Sequence, residues 1–209
     1  MFVIYSSNHP AGFNANVVQT ASNKGVLLAF VAMAQALVVI TAGIDLSVGM
    51  IFTLTNCLAS WIVVGSPVQV FFGVVGVLFV GALCGAINGA IVIYGRLQPI
   101  VTTIATGAVF YGIALAIRPN PGGSVDETLA DFFTGRFFGF MPASLVTLFA
   151  VVLVVWVPFS RSVTGRAAYA VGSSEAAAYM SGVNIRRAKF AAYTLSGLLA
   201  GIGGLFLTF

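Results

Sequence analysis

Few residues in this chain can do chemistry, and the sequence keeps them far apart. The most unusual is Asp45, the one carboxylate in Thr41-Ala-Gly-Ile-Asp-Leu-Ser-Val-Gly49, where it breaks two apolar runs. An acid near hydrocarbon costs ~2.5–3.5 kcal/mol on insertion scales before it finds partners. Asp45 therefore either caps a helix beginning at Leu46, with Gly43 and Gly49 allowing a tight joint, or serves a wet gate or pathway. Asn88 shares a helix face with Gly81 and Cys84. Its amide either hydrogen-bonds across a helix interface or faces a polar translocation path. Thr102, Thr103 and Thr106 follow Gln98-Pro99 and can either satisfy i−4 carbonyls or line such a path. The candidates for pathway or gating are thus Asp45, Asn88, Thr102 and Thr106.

No catalytic, cofactor-binding or metal-ligating set can be assembled. Neither lysine follows a glycine, so GxxxxGK[ST] is absent and ATP is not bound by a P-loop. With one histidine, His9, HExxH is impossible. An intramembrane aspartyl protease needs two acids, and Asp45 is the only candidate; GxSxG is also missing. Cys57 and Cys84 lie in apolar runs without CxxC spacing, as packing residues do.

The elements that must position these groups are membrane helices. The 209 residues are 59% hydrophobic and only 7% charged, with mean hydropathy +1.06. A soluble domain carries roughly 25% charged residues, so membrane lipid is one partner, and no basic, aromatic stripe suggests nucleic acid. The first residues lack a basic n-region, which argues against a secretory signal, and Met1–Tyr5 is too brief to span. Continuous apolar runs, not alternating ones, predict an all-α polytopic bundle of about six transmembrane helices in one domain, 1–209. The expected spans are Gly25–Ile44, Leu46–Gly65, Val68–Tyr94, Leu97–Ile117, Ala143–Phe159 and Ala191–Phe209. Gly81, Gly85 and Gly89 form a double GxxxG ridge, Gly197 and Gly201 repeat it, and Ala108, Gly112 and Ala116 give a looser version. Such ridges let helix backbones approach in lipid.

The longest polar break is Ser160–Lys189, which holds five of the nine basic residues (Arg161, Arg166, Arg186, Arg187, Lys189) and one acid, Glu175. Basic loops stay inside, so residues 160–190 should face the cytosol and Arg118–Pro142, with the turn-rich Pro119–Gly123, should face outside. Ser173 can cap a short helix with Glu175 in its first turn, Gly182 can stop it, and Asn184 can cap the next span. The result is a short exposed helix between two spans, suited to docking a cytosolic partner; an ordinary inside loop is the alternative.

Several blocks occur together in the order of one family: Gly43-Ile-Asp-Leu-Ser-Val-Gly49, Gly85-Ala-Ile-Asn-Gly89, Pro99-Ile-Val-Thr-Thr-Ile-Ala-Thr106, Ala170-Val-Gly-Ser-Ser-Glu-Ala-Ala177, Ser181-Gly-Val-Asn184 and Tyr193-Thr-Leu-Ser-Gly197. The chain resembles the permease subunit of bacterial ABC importers for ribose, xylose, galactose and related monosaccharides. The resemblance implies a multi-pass inner-membrane subunit with no cofactor and no enzymatic activity, paired with a second permease subunit and supplied by a periplasmic sugar-binding protein. It also implies two cytosolic ATPase subunits touching a loop that contains Gly172, Ser173, Glu175, Ala176, Ala177, Ser181, Gly182 and Asn184. Four residues separate Glu175-Ala-Ala177 from Gly182, against fewer in the general importer loop, and no I-x-L-P follows. The family has a span before the first one here and several after the last. That predicts a chain truncated at both ends and inactive in uptake as it stands. A stand-alone secondary transporter is the rival from another class, and it would show internal repeats; none is clear.

Overall fold

The computed structural model describes residues 15–120, 122–137, 139 and 141–209. His9, the Met1–Tyr5 stub and Pro121 of the outer turn lie outside the described residues. Among the described residues nine helices follow one another. They are α1 (Ala15–Val39), α2 (Val48–Ile62), α3 (Pro67–Tyr94), α4 (Pro99–Ile117), α5 (Glu127–Thr134), α6 (Ala143–Arg161), α7 (Val163–Ser173), α8 (Glu175–Met180) and α9 (Ile185–Thr208). One small antiparallel pair, β1 (Arg136–Phe137) with β2 (Met141–Pro142), precedes α6.

Local chemistry sets the boundaries. Ser66 accepts from the Gln69 N–H while Gln69 bonds back to the Ser66 N–H, a capping box with Pro67 at the first helical position of α3. Pro99 likewise takes the first helical position of α4, after Gln98, which caps with no side-chain hydrogen bond. The α1 helix closes in a Schellman motif, with the Gly43 and Ala42 N–H groups donating to Val38 and Val39 carbonyls. Ala42, not a glycine, occupies the left-handed position at φ 58°.

Five helices are long and apolar enough to cross a membrane: α1, α3, α4, α6 and α9. The expected span Leu46–Gly65 is shorter than the sequence suggests. Its helix, α2, has 15 residues, which at 1.5 Å per residue reaches roughly 22 Å of a ~30 Å core. The polar turn before Val48 and the Gly65 turn consume the remainder. The α6 helix passes through a π-helical stretch at Val152–Trp156. The polar break also holds a helix that the sequence reading missed, α7, which is capped by Ser162 accepting from the Gly165 N–H at 3.0 Å.

The α9 helix is the centre, packed against α3, α1 and α2. Its glycines meet the α3 ridge as expected. A methyl on Gly81 would sit 2.7 Å from the Gly197 carbonyl oxygen, and one on Gly85 would overlap the Tyr193 carbonyl and stand 3.0 Å from the Gly197 Cα. The looser Ala108, Gly112, Ala116 row behaves differently. It lies on the exposed side of α4, where none of the described residues stands within 4 Å of a methyl placed on Gly112. Around the bundle Phe71, Phe72, Phe79, Val101, Ile104 and Leu153 point outward, as a lipid-facing belt requires.

The two ends of the bundle gather the segments expected on each face. At one end Gly172 presses on the Ile40 carbonyl, and Arg96 and Pro99 lie beside Glu175. At the other, the Asp126 N–H donates to the Val63 carbonyl at 3.0 Å, and Gln19 and Asn23 of α1 both donate to the Thr134 carbonyl, at 2.6 and 3.2 Å. Asp126 also caps α5, which had been expected as plain loop. Gly85→Ala should cost at least about 1–3 kcal/mol by overpacking, whereas Gly112→Ala should be neutral or stabilise by up to about 1 kcal/mol. Thermal unfolding of the purified variants in detergent measures both.

Candidate functional site

The candidate polar chemistry gathers at two places near the same end. The first is a buried polar joint. Asp45 is 2% exposed and follows the α1 Schellman turn. One of its oxygens, Oδ1, accepts from both the Ser47 N–H at 2.8 Å and the Ser47 hydroxyl at 2.6 Å. The Ser47 Oγ in turn accepts from the Asn88 side-chain amide at 2.6 Å, across a sequence gap of 41 residues. On the far side the Leu46 N–H donates to Thr103 Oγ1 at 3.0 Å. Three helices are thus tied at one point, and the tie runs through short polar side chains.

Asp45 does not cap a helix beginning at Leu46. The helix begins at Val48 with Ser47 as its N-cap, and Asp45 holds that serine from two residues upstream. The reason is local. A carboxylate two residues before an N–H closes a tight side-chain turn, and the serine hydroxyl adds a second donor. Asn88 makes the interhelical bond that was one of its two readings. Thr106 bonds back to the Thr102 carbonyl at 3.0 Å, which satisfies it within α4. Thr102 is buried at 4% exposure, and its hydroxyl finds no hydrogen-bond partner among the described residues. The same holds for Asp45 Oδ2, Asn88 Oδ1 and the hydroxyls of Tyr193 and Ser196. The Tyr193 hydroxyl comes 3.1 Å from where a methyl on Gly43 would lie, which places it at the same joint. Sequence reasoning missed Ser47 and Tyr193. The Asp-x-Ser spacing signalled the first; nothing local signalled the second.

The second place is the short helix α8. Ser173 does not cap it. Ser173 ends α7, and Ser174 is the cap, accepting from the Ala177 N–H at 3.3 Å. Extending α7 by one further turn leaves only Ser174 in extended backbone, so the cap moves by one residue. Glu175 lies in the first turn as expected and pairs with Lys189 at 2.7 Å. Gly182 stops the helix at φ 75°, with Val183 and Gly182 N–H groups donating to Ala178 and Tyr179 carbonyls. Asn184 caps α9 by accepting from the Arg187 N–H at 3.0 Å. Ala176, Ala177 and Ser181 are exposed, whereas Gly172 is packed on the α1 terminus. Tyr179 and Met180, 74% and 82% exposed, stand out from α8. These two large apolar side chains were not foreseen.

Fold and belt define a multi-pass helical membrane protein. Comparison with known proteins narrows this class. The family described as "Branched-chain amino acid transport system / permease component" matches residues 17–209. The chain belongs to that family of permease components. The ribose import permease protein RbsC of Escherichia coli (strain K12) is 32% identical over 210 residues, covering 98% of this chain and 65% of that protein. The D-allose transport system permease protein AlsC of the same strain is 29% identical over 208 residues, covering 98% of this chain and 63% of the relative. The fructose import permease protein FrcC of Rhizobium meliloti is 32% identical over 200 residues, covering 92% and 56%. The chain therefore spans 65% or less of the length of these three curated relatives. No solved structure matches.

Removing Ser47 should expose how much the joint depends on it. Ser47→Ala removes the only acceptor found for the Asn88 amide among the described residues, at a cost of about 1–3 kcal/mol for the buried group left unmade, while Asp45 Oδ1 keeps its bond from the residue 47 backbone N–H. Thr106→Val should lie within about 0.5 kcal/mol of the parent. Unfolding midpoints in detergent distinguish the two.

Proposed function

We propose that this chain is the membrane-spanning part of a permease subunit of an ATP-binding-cassette importer that moves a monosaccharide across the bacterial inner membrane by alternating access. The observation that carries the reading is α8. It is a two-turn helix clamped by the Ser174 cap and the Gly182 stop, displayed between α7 and a central membrane helix, with Tyr179 and Met180 offered to a partner. Family membership supports a permease, and the printed names of the relatives, ribose, D-allose and fructose, favour a sugar over a branched-chain amino acid. ATP is hydrolysed in separate cytosolic subunits, which dock on residues 172–184. A second permease subunit completes the membrane unit, and a periplasmic binding protein delivers the sugar. Asp45, Asn88 and Thr102 govern the joint that opens and closes, while Thr106 stays within its own helix. A nucleotide-driven shift between states requires that the ATPase bind them with different affinity.

The test is co-purification with the neighbouring ATPase. Glu175→Lys reverses the charge at the α8 N-terminus and breaks the pair with Lys189, and Gly182→Val forces a β-branched residue at positive φ. Both should sharply reduce ATPase recovered in a pull-down while membrane insertion is unchanged. Undiminished recovery from both would mean that α8 is an ordinary loop.

Orientation has its own test. Cysteines placed at the exposed Ser173 and Ser181 should react with impermeant reagent from the cytosolic side only, and one at Ser124 from outside only. The reverse pattern would overturn the docking assignment.

A further inference from the structure

Beside α8 a cavity of about 590 Å³ opens between the α3–α4 turn and the start of α9. Its floor is apolar, with Val92, Leu97 and Ile185, and its rim is cationic, with Arg96, Arg186 and Lys189 facing one acid, Glu175. Lys189 and Glu175 satisfy each other at 2.7 Å. Arg96 and Arg186 have no ion pair among the described residues, so the rim keeps an excess of positive charge.

Depth decides what such a cavity can hold. Arg96 sits in the short turn between Tyr94, the last residue of α3, and Pro99, the first of α4. Its backbone is held in the left-handed region at φ 54°. It cannot leave the level at which two apolar helices end. Arg186 is the second residue of α9, the central membrane helix. Both residues therefore sit where apolar helices begin or end, the level at which hydrocarbon gives way to headgroups. From the cavity the apolar surface continues outward over Leu97, 52% exposed, and past Tyr94, 65% exposed. Aromatic rings of that kind favour the headgroup level.

We propose that this cavity binds the phosphate of an anionic phospholipid through Arg96 and Arg186, with the acyl chains lying along the exposed face of Leu97 and Ile100. Basic pockets between membrane helices at this level suit phosphate headgroups, and guanidinium forks match phosphate oxygens in pairs. A free phosphate ion shares the headgroup chemistry but would leave the apolar floor unused. The site needs neither an ATPase nor a sugar, although its walls Glu175, Tyr179, Val183 and Asn184 belong to the segment proposed to dock the ATPase, so lipid and ATPase would share this end of the cavity.

The experiment is native mass spectrometry of the purified chain in neutral detergent. The probes are dioctanoyl phosphatidylglycerol, dioctanoyl phosphatidylcholine and inorganic phosphate. Phosphatidylglycerol should be retained at about tenfold lower concentration than phosphatidylcholine. Arg96→Gln and Arg186→Gln should each weaken it by about fivefold, the worth of one cation near an anionic headgroup. The double variant should bind the two lipids alike. Arg161→Gln, a cation in the same polar segment but outside the cavity, should change nothing. Equal binding of both lipids by the parent, a preference surviving in the double variant, or an equal loss in Arg161→Gln would overturn the site. Inorganic phosphate displacing the lipid at matching concentration would overturn the lipid assignment in favour of a plain anion site.

Discussion

Everything in this bundle depends on how closely α9 approaches α3. Lipid offers helices no hydrophobic reason to associate, so contact must come from packing that side chains would prevent. The Gly81–Gly85 and Gly197–Gly201 rows supply it, with backbone resting on backbone where a methyl on Gly81, Gly85 or Gly197 has no space. The neighbouring side of α9 repeats the solution: Gly203 faces the Phe52 ring and Gly204 faces the Phe52 carbonyl and Thr55. A helix with glycine on two sides can be surrounded, and α9 is the most buried of the long helices. The helices that lack such a partner face, α4 among them, sit outside it.

The buried joint at Asp45 answers a different constraint. A carboxylate at this depth without a basic partner would be costly, and no ion pair reaches Asp45 among the described residues. Donors replace the base. Both donors of Ser47 reach one oxygen, and Asn88 completes the chain from α3. Because the Asn88 amide crosses between helices, it fixes the rotation of α2 as well as its position. The joint is a registration device that sets how α2 meets α3 and α4.

Much of this was legible in the chain. The glycine ridges of α3 and α9, the Gly182 stop and the Asn184 cap follow from residue type and spacing, because each is a local rule or a four-residue repeat. What was not legible has three physical causes. The extra helix α7 is short, contains Arg166 and directly follows Arg161, so it is hidden in a polar run. The Ser173-to-Ser174 shift is a single residue, the scale on which helix ends compete between adjacent hydroxyls. The Asp45–Ser47–Asn88 chain and the Tyr193 hydroxyl depend on contacts between distant segments, which no local pattern reports. The shortened α2 belongs with them, because apolar residues continue past both of its ends.

The contact between Gly172 and the Ile40 carbonyl has a mechanical meaning. A side chain placed between two helices can rotate and absorb a small displacement, whereas two backbones in direct contact cannot. Ile40 lies at the start of the α1 corner, where Ala42 is locked in a left-handed turn and Gly43 is hemmed in by the Tyr193 hydroxyl. The corner is therefore stiff as well. At Gly172, α7 thus meets the end of α1 backbone to backbone, and a side chain there would have to push the two apart.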